Sequence, residues 1–125
     1  MKPPRKVKVG PISFTVASTR VGWKAAVDRE GSVIDSEDYG VAFPWLGEIA
    51  VNPAHPPTVQ RLTTVHELLH ALLALVCGSP DFRSYFKGST GQIAAEERLV
   101  RLLEAPLLSL IRDNPRLMEY LTSKD

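Results

Sequence analysis

The sequence predicts an α+β domain: a small twisted N-terminal sheet followed by helices. Three observations predict it. Apolar residues alternate with polar ones near the N-terminus, as on a half-buried strand. From residue 58 onward the apolar positions recur with a helical period. The change between them comes at a cluster of prolines, Pro53, Pro56 and Pro57. A chain of 125 residues with 44% hydrophobic residues fits one domain, 1–125, with one modest core.

Residues 1–6, rich in proline and basic side chains, read as a disordered, solvated tail. Val7, Val9, Ile12, Phe14 and Val16 follow as a strand, with Gly10-Pro11 marking a break or bulge. Trp23 to Val27 reads as a second short strand, and Asp28-Arg29-Glu30-Gly31 as a turn. Residues 32–47 read as an irregular, aromatic-containing loop punctuated by Gly40, Pro44 and Gly47. Glu48 to Val51 is a short strand, stopped by Asn52-Pro53.

Thr58 is placed to cap a helix running to about Cys77. Val59, Leu62, Val65, Leu69, Leu72, Leu73 and Val76 form its apolar face, and Gly78 and Pro80 end it. A loop over residues 79–88 carries Phe82, Tyr85 and Phe86. Ser89 with Gln92 fits a capping box for the next helix. That helix runs through Ile93, Leu99, Leu103 and Leu107 to about Ile111, with a kink expected at Pro106. Asn114-Pro115 reads as N-cap and first residue of a short last helix.

Bulk properties narrow the function. Lys and Arg number 15 against 14 Asp and Glu, so no direct nucleic-acid partner is expected. The single cysteine, Cys77, excludes an intramolecular disulfide and reads as a core residue. Met1 to Lys6 has no apolar segment of a secretion signal, and no run is long enough to span a bilayer. A cytoplasmic location with no membrane partner is therefore expected.

The chemistry concentrates at His66-Glu67-Leu68-Leu69-His70. Two of the three histidines of the chain lie here, spaced i and i+4 on one helix face. That spacing lets two imidazoles bind one Zn²⁺, with the intervening glutamate acting on a water. A catalytic zinc needs a third protein ligand. His55, among prolines, reads as a loop residue. A carboxylate is the better third ligand, and at about 100° per residue Glu96 falls near the centre of the apolar face of its helix. A lone acid there is costly unless paired or metal-bound. Glu97, on the edge of that face, is the alternative ligand, and Asp81 a weaker one. The structural alternative for Glu96 is a buried ion pair with Arg98 or Arg20. Glu67 then becomes the general base. Tyr85 is a candidate oxyanion stabiliser, or an aromatic packed with Phe82 and Phe86. Glu48, Ile49, Ala50 and Val51 are candidates for backbone pairing with an extended substrate, or an ordinary sheet strand.

These stretches resemble small gluzincin-like zinc metallopeptidases, in particular the ImmA/IrrE-type group and short phage-encoded metallopeptidase-like proteins. Glu48-Ile-Ala-Val-Asn-Pro, Leu62-Thr-Thr-Val-His-Glu-Leu-Leu-His-Ala-Leu and Glu96-Glu-Arg-Leu-Val carry the resemblance. The tail Leu110-Ile-Arg-Asp-Asn-Pro adds to it. The resemblance implies a minimal zincin-like catalytic domain that cuts a protein or peptide substrate. It departs from the usual E-x-x-A-N pattern at Leu99 and Val100, which leaves Glu97 open as the ligand. Two other functions fit the same residues: a zinc-stabilised binding module without catalysis, and a regulatory or phage protein that keeps the scaffold.

Overall fold

The computed structural model describes residues 1–30, 37–77 and 92–124, with backbone alone for residues 30, 77, 92–97, 100 and 104. The protein is α+β, with a four-stranded mixed sheet and, among the described residues, four α-helices.

The predicted first strand is a hairpin. Strand β1 (Lys6–Val9) pairs antiparallel with β2 (Ile12–Ala17), in register Val9↔Ile12. Gly10 has φ +59, so Gly10-Pro11 is a two-residue turn and not a bulge. Glycine is the residue that takes a positive φ at the first turn position without strain. Residues 1–6, read as a tail, lie against the body: Pro3 is buried, the Arg5 carbonyl accepts the Val16 N–H at 2.8 Å, and Lys6 opens β1.

The segment Trp23–Val27 is helical, not extended. Helix α1 (Arg20–Glu30) contains it and also the first three residues of the predicted turn, 28–30; Gly31 lies outside the described residues. The local cause is visible at its start. Thr19 Oγ1 accepts the Gly22 N–H at 3.0 Å, an N-cap arrangement. Trp23 and Ala26 are spaced i, i+3, and both bury on one face.

The predicted loop over residues 32–47 contains a strand. Strand β3 (Gly40–Phe43) pairs antiparallel with β4 (Glu48–Val51), and a 3₁₀ turn over Pro44–Leu46 joins them. Gly47, at φ +65, closes that turn by donating its N–H to the Pro44 carbonyl. Strand order is β1-β2-β4-β3, with β4 parallel to β2. Strand β4 is therefore interior, covered on both faces, and Ile49, Ala50 and Val51 are all buried.

Helix α1 covers one face of the sheet, where Trp23 and Ala26 pack with Phe43 and Ala50. The Arg29 guanidinium ion-pairs with Glu48 and stacks over the Phe43 ring at 4.9 Å. The other face carries the main core. There Leu68, Ala71 and Leu72 of α2 (Pro57–Cys77) pack with Phe14, Val16 and Ile49. Leu110 of α3 (Gln92–Asp113) and Leu117 and Tyr120 of α4 (Pro115–Leu121) complete it. The predicted capping residue Ser89 lies outside the described residues. Helix α3 continues through Pro106.

The buried face of α2 differs from the expected one. Thr63, Thr64, Glu67, Leu68, Ala71, Leu72 and Val76 are buried, whereas Leu62, Val65 and Leu69 are exposed. The sheet approaches too closely for large side chains at the N-terminal half of this face. A Cβ on Gly40 would lie 2.5 Å from Thr63 Cγ2. The buried Thr64 hydroxyl satisfies itself by donating to the Gln60 carbonyl at 2.8 Å.

Asn114 precedes α4 as expected, with Pro115 at the first turn, but its side chain does not cap that helix. It reaches the β1 backbone instead, accepting the Lys8 N–H at 2.7 Å and donating to the Lys8 carbonyl at 2.8 Å. It also donates to the Leu110 carbonyl at 2.8 Å. No helix among the described residues is long and apolar enough to cross a membrane.

Candidate metal centre

Residues 66–70 lie in the middle of α2, so His66 and His70 stack one turn apart. Their Nε2 atoms approach to 3.2 Å, with ring centroids 4.8 Å apart and the planes 73° from parallel. Both rings are exposed, on the margin of the face that packs on the sheet. Without a cation, this approach requires one ring to donate an Nε2–H to the other. With one, the geometry suits a shared metal. Two Zn–N bonds of about 2.0–2.1 Å at a tetrahedral angle place their nitrogens about 3.3–3.4 Å apart.

Glu67 is buried, on the sheet side of the same turn, and its Oε1 lies 3.9 Å from His66 Nε2. Burial pushes its carboxyl above the usual carboxylate range, while the positive charge available to His66 and then His70 pulls it back. Gly40 of β3 lies over it: a Cβ there would stand 3.2 Å from Glu67 Cγ. The carboxylate is thus held between helix and sheet edge, next to two imidazoles.

No protein-family model, curated protein or solved structure matches the chain.

The other sequence-predicted residues divide into three groups. His55 is engaged elsewhere: its Nε2 lies 3.0 Å from the Glu37 carbonyl, and its ring meets Tyr39 edge-on at 4.5 Å. Glu48, Ile49, Ala50 and Val51 do not offer a pairing edge, because β2 and β3 occupy both sides of β4. Asp81 and Tyr85, and the side chains of Glu96 and Glu97, lie outside the described residues, although positions 96 and 97 fall in α3. Among the described residues, no three His, Cys, Asp or Glu side chains are grouped to hold a metal.

The sheet edge beside the histidines is β3, which lies within the stretch expected to be a loop. The Asn52 N–H donates to the Tyr39 carbonyl at 2.8 Å, making that opposed pair a hydrogen-bonded one. Antiparallel ladders alternate, so Val41 and Phe43 point their backbone groups at β4. Gly40 and Ala42 point theirs outward. An open cleft of about 560 Å³ runs along this edge, lined by Gly40, Ala42, Pro44, His66, His70 and Leu73. The available signal was the pair of apolar residues Val41 and Phe43 flanking Ala42, hidden by Gly40 and Pro44 at its ends.

Proposed function

We propose that the protein is a zinc-dependent metallopeptidase of gluzincin type, hydrolysing peptide bonds in a protein substrate. The observation that carries this reading is the 3.2 Å approach of the His66 and His70 Nε2 atoms beside the buried Glu67. A chance pair of surface histidines has no need of a buried carboxylate in the same turn, since burying an acid costs free energy.

In this reading His66 and His70 hold the metal, with Glu96 the third ligand by helical phase and Glu97 the alternative. Bound zinc supplies Lewis acidity, lowering the pKa of a water and polarising the scissile carbonyl. Glu67 would accept a proton from the attacking water and return it to the leaving amine. Its raised pKa favours the first half of this cycle, because the carboxyl takes up a proton more readily than an exposed one. Gly40 and Ala42 offer N–H and C=O groups to an extended substrate, a mode of binding that tolerates many sequences. The sheet, α2 and α3 then form a minimal zincin-like catalytic unit.

The test is metal content by mass spectrometry after zinc loading and dialysis, on the wild type, His70→Ala and Glu96→Ala. About one zinc per chain, lost in both variants, is expected. Glu67→Gln should retain the metal and lose hydrolysis of a quenched fluorescent peptide pool. A wild type that takes up no zinc overturns the proposal.

A further inference from the structure

We propose that the groove between the N-terminal segment and α4 docks an acidic segment of a partner protein. It lies at the β1 edge of the sheet, and the histidines lie beside β3, the opposite edge. The inference therefore stands apart from the metallopeptidase reading. The groove has a volume of about 640 Å³, and its lining includes Lys2, Pro3, Arg5, Lys6, Arg116 and Glu119. Four cationic side chains thus share it with one carboxylate, although basic and acidic residues nearly balance over the whole chain, at 15 against 14. All four cations are exposed, and none forms an ion pair or a side-chain hydrogen bond among the described residues.

The fold holds these charges in place. Pro3 is buried, the Arg5 carbonyl accepts the Val16 N–H at 2.8 Å, and Lys6 opens β1, so one wall has a fixed backbone. Arg116 and Glu119 stand about one turn apart on α4 and form the other wall. Asn114 ties the start of that helix to β1 through the Lys8 N–H at 2.7 Å and the Lys8 carbonyl at 2.8 Å. Like charges held together repel, so the cluster costs stability in the free protein, and a bound anion relieves that cost.

The lining also selects the class of anion. The guanidinium forks of Arg5 and Arg116 match carboxylates through paired hydrogen bonds. No aromatic ring among the described residues lines the groove to stack a nucleobase. A net charge of +1 gives no extended field for a phosphate backbone. Recognition goes through side chains and not through strand addition. The Asn114 amide already occupies the Lys8 N–H and carbonyl, and Pro4 has no N–H to offer.

The experiment is fluorescence anisotropy of a labelled peptide of alternating aspartate and glycine, titrated with metal-free protein so that the outcome is independent of zinc. The wild type should bind it at least about tenfold tighter than the asparagine counterpart at low salt, and binding should be lost near 1 M salt, where the Debye length is about 3 Å. Arg116→Gln should weaken binding about two- to fivefold, and Arg5→Gln/Arg116→Gln about tenfold. Lys24→Gln removes the same charge from α1, away from the groove, and should change it by less than about twofold. Equal affinity for the two peptides, or equal weakening by Lys24→Gln and Arg116→Gln, overturns the docking site. Tighter binding of an oligothymidylate of the same charge, or of anionic phospholipid vesicles, overturns the acidic protein segment as its occupant. The substituted side chains are exposed, so the variants keep the fold, which circular dichroism checks.

Discussion

Gly40 and Glu67 meet so closely that a Cβ on the glycine would stand 3.2 Å from Glu67 Cγ; it would also lie 2.9 Å from the Ala50 carbonyl oxygen. The strand edge and the carboxylate are thereby held in one arrangement, and the space for a side chain at position 40 is already taken by Thr63 and Glu67. Gly40→Ala should destabilise the protein by about 1–3 kcal/mol, the usual range for overpacking. Urea denaturation measures it. Peptidase activity should fall more than the folded fraction does, because β3 must move away from α2 to admit the methyl group.

The buried Glu67 carboxyl makes stability depend on pH in a definite direction. Its pKa is raised on folding, so the folded chain holds this proton over a range where the unfolded chain has lost it. Stability is favoured below the unfolded value and falls as pH rises through the window up to the folded one. Glu67→Gln removes that loss. The metal-free variant should therefore melt at a higher temperature than metal-free wild type at pH 7, with the difference vanishing below about pH 4. An unchanged difference at both pH values would disprove the assignment.

Zinc should raise the melting temperature of the wild type in a concentration-dependent way, since a ligand that binds only the folded state stabilises it by mass action. At about a hundred times the dissociation constant the gain is about 2.7 kcal/mol. His70→Ala should show no such rise, and its metal-free stability should match the wild type because the ring is exposed. Differential scanning fluorimetry with and without a chelator reads both.

Backbone pairing at the β3 edge makes opposite predictions for neighbouring residues. The Val41 N–H points at β4 in the ladder, so Val41→Pro should cost about 2–3 kcal/mol by removing that bond and orphaning its acceptor. The Ala42 N–H points outward, where an edge proline is tolerated. Ala42→Pro should leave the melting temperature nearly unchanged while lowering kcat/KM about tenfold through loss of one substrate hydrogen bond. Equal effects at the two positions would remove β3 as the substrate edge.

Asn114 ties the junction of α3 and α4 to β1 through three hydrogen bonds, two of them to Lys8 across 106 residues of sequence. Asn114→Ala should cost about 1–3 kcal/mol, since it removes three hydrogen bonds, one of them buried, and leaves partly buried backbone groups of Lys8 without this partner. Hydrogen exchange should speed up at the Lys8 amide before it does at amides of β4.

What the sequence determined by itself is local. The i, i+4 histidines with a glutamate between them place a helix with two imidazoles on one face. Alternation from Val7 to Val16 marks strand-forming residues, Glu48 to Val51 a short strand, and Asn114-Pro115 a helix start. Each depends on residues within a turn or two of one another, so periodicity records it. Tertiary structure decided the rest. It made Gly10-Pro11 a hairpin turn, because β1 gains its partner only by folding back on β2. It made Trp23–Val27 helical, because the second face of the sheet needs a cover that Trp23 and Ala26 supply from one side of a helix. It placed β4 in the interior and passed the free edge to β3. It also rotated α2 so that Thr63, Thr64 and Glu67, and not Leu62, Val65 and Leu69, meet the sheet. The physical reason is common to these cases: which edge stays open and which face is buried depend on surfaces brought together from distant parts of the chain. Local hydrophobic period shows that a helix has faces, but only the close approach of Gly40 chooses which one goes inside.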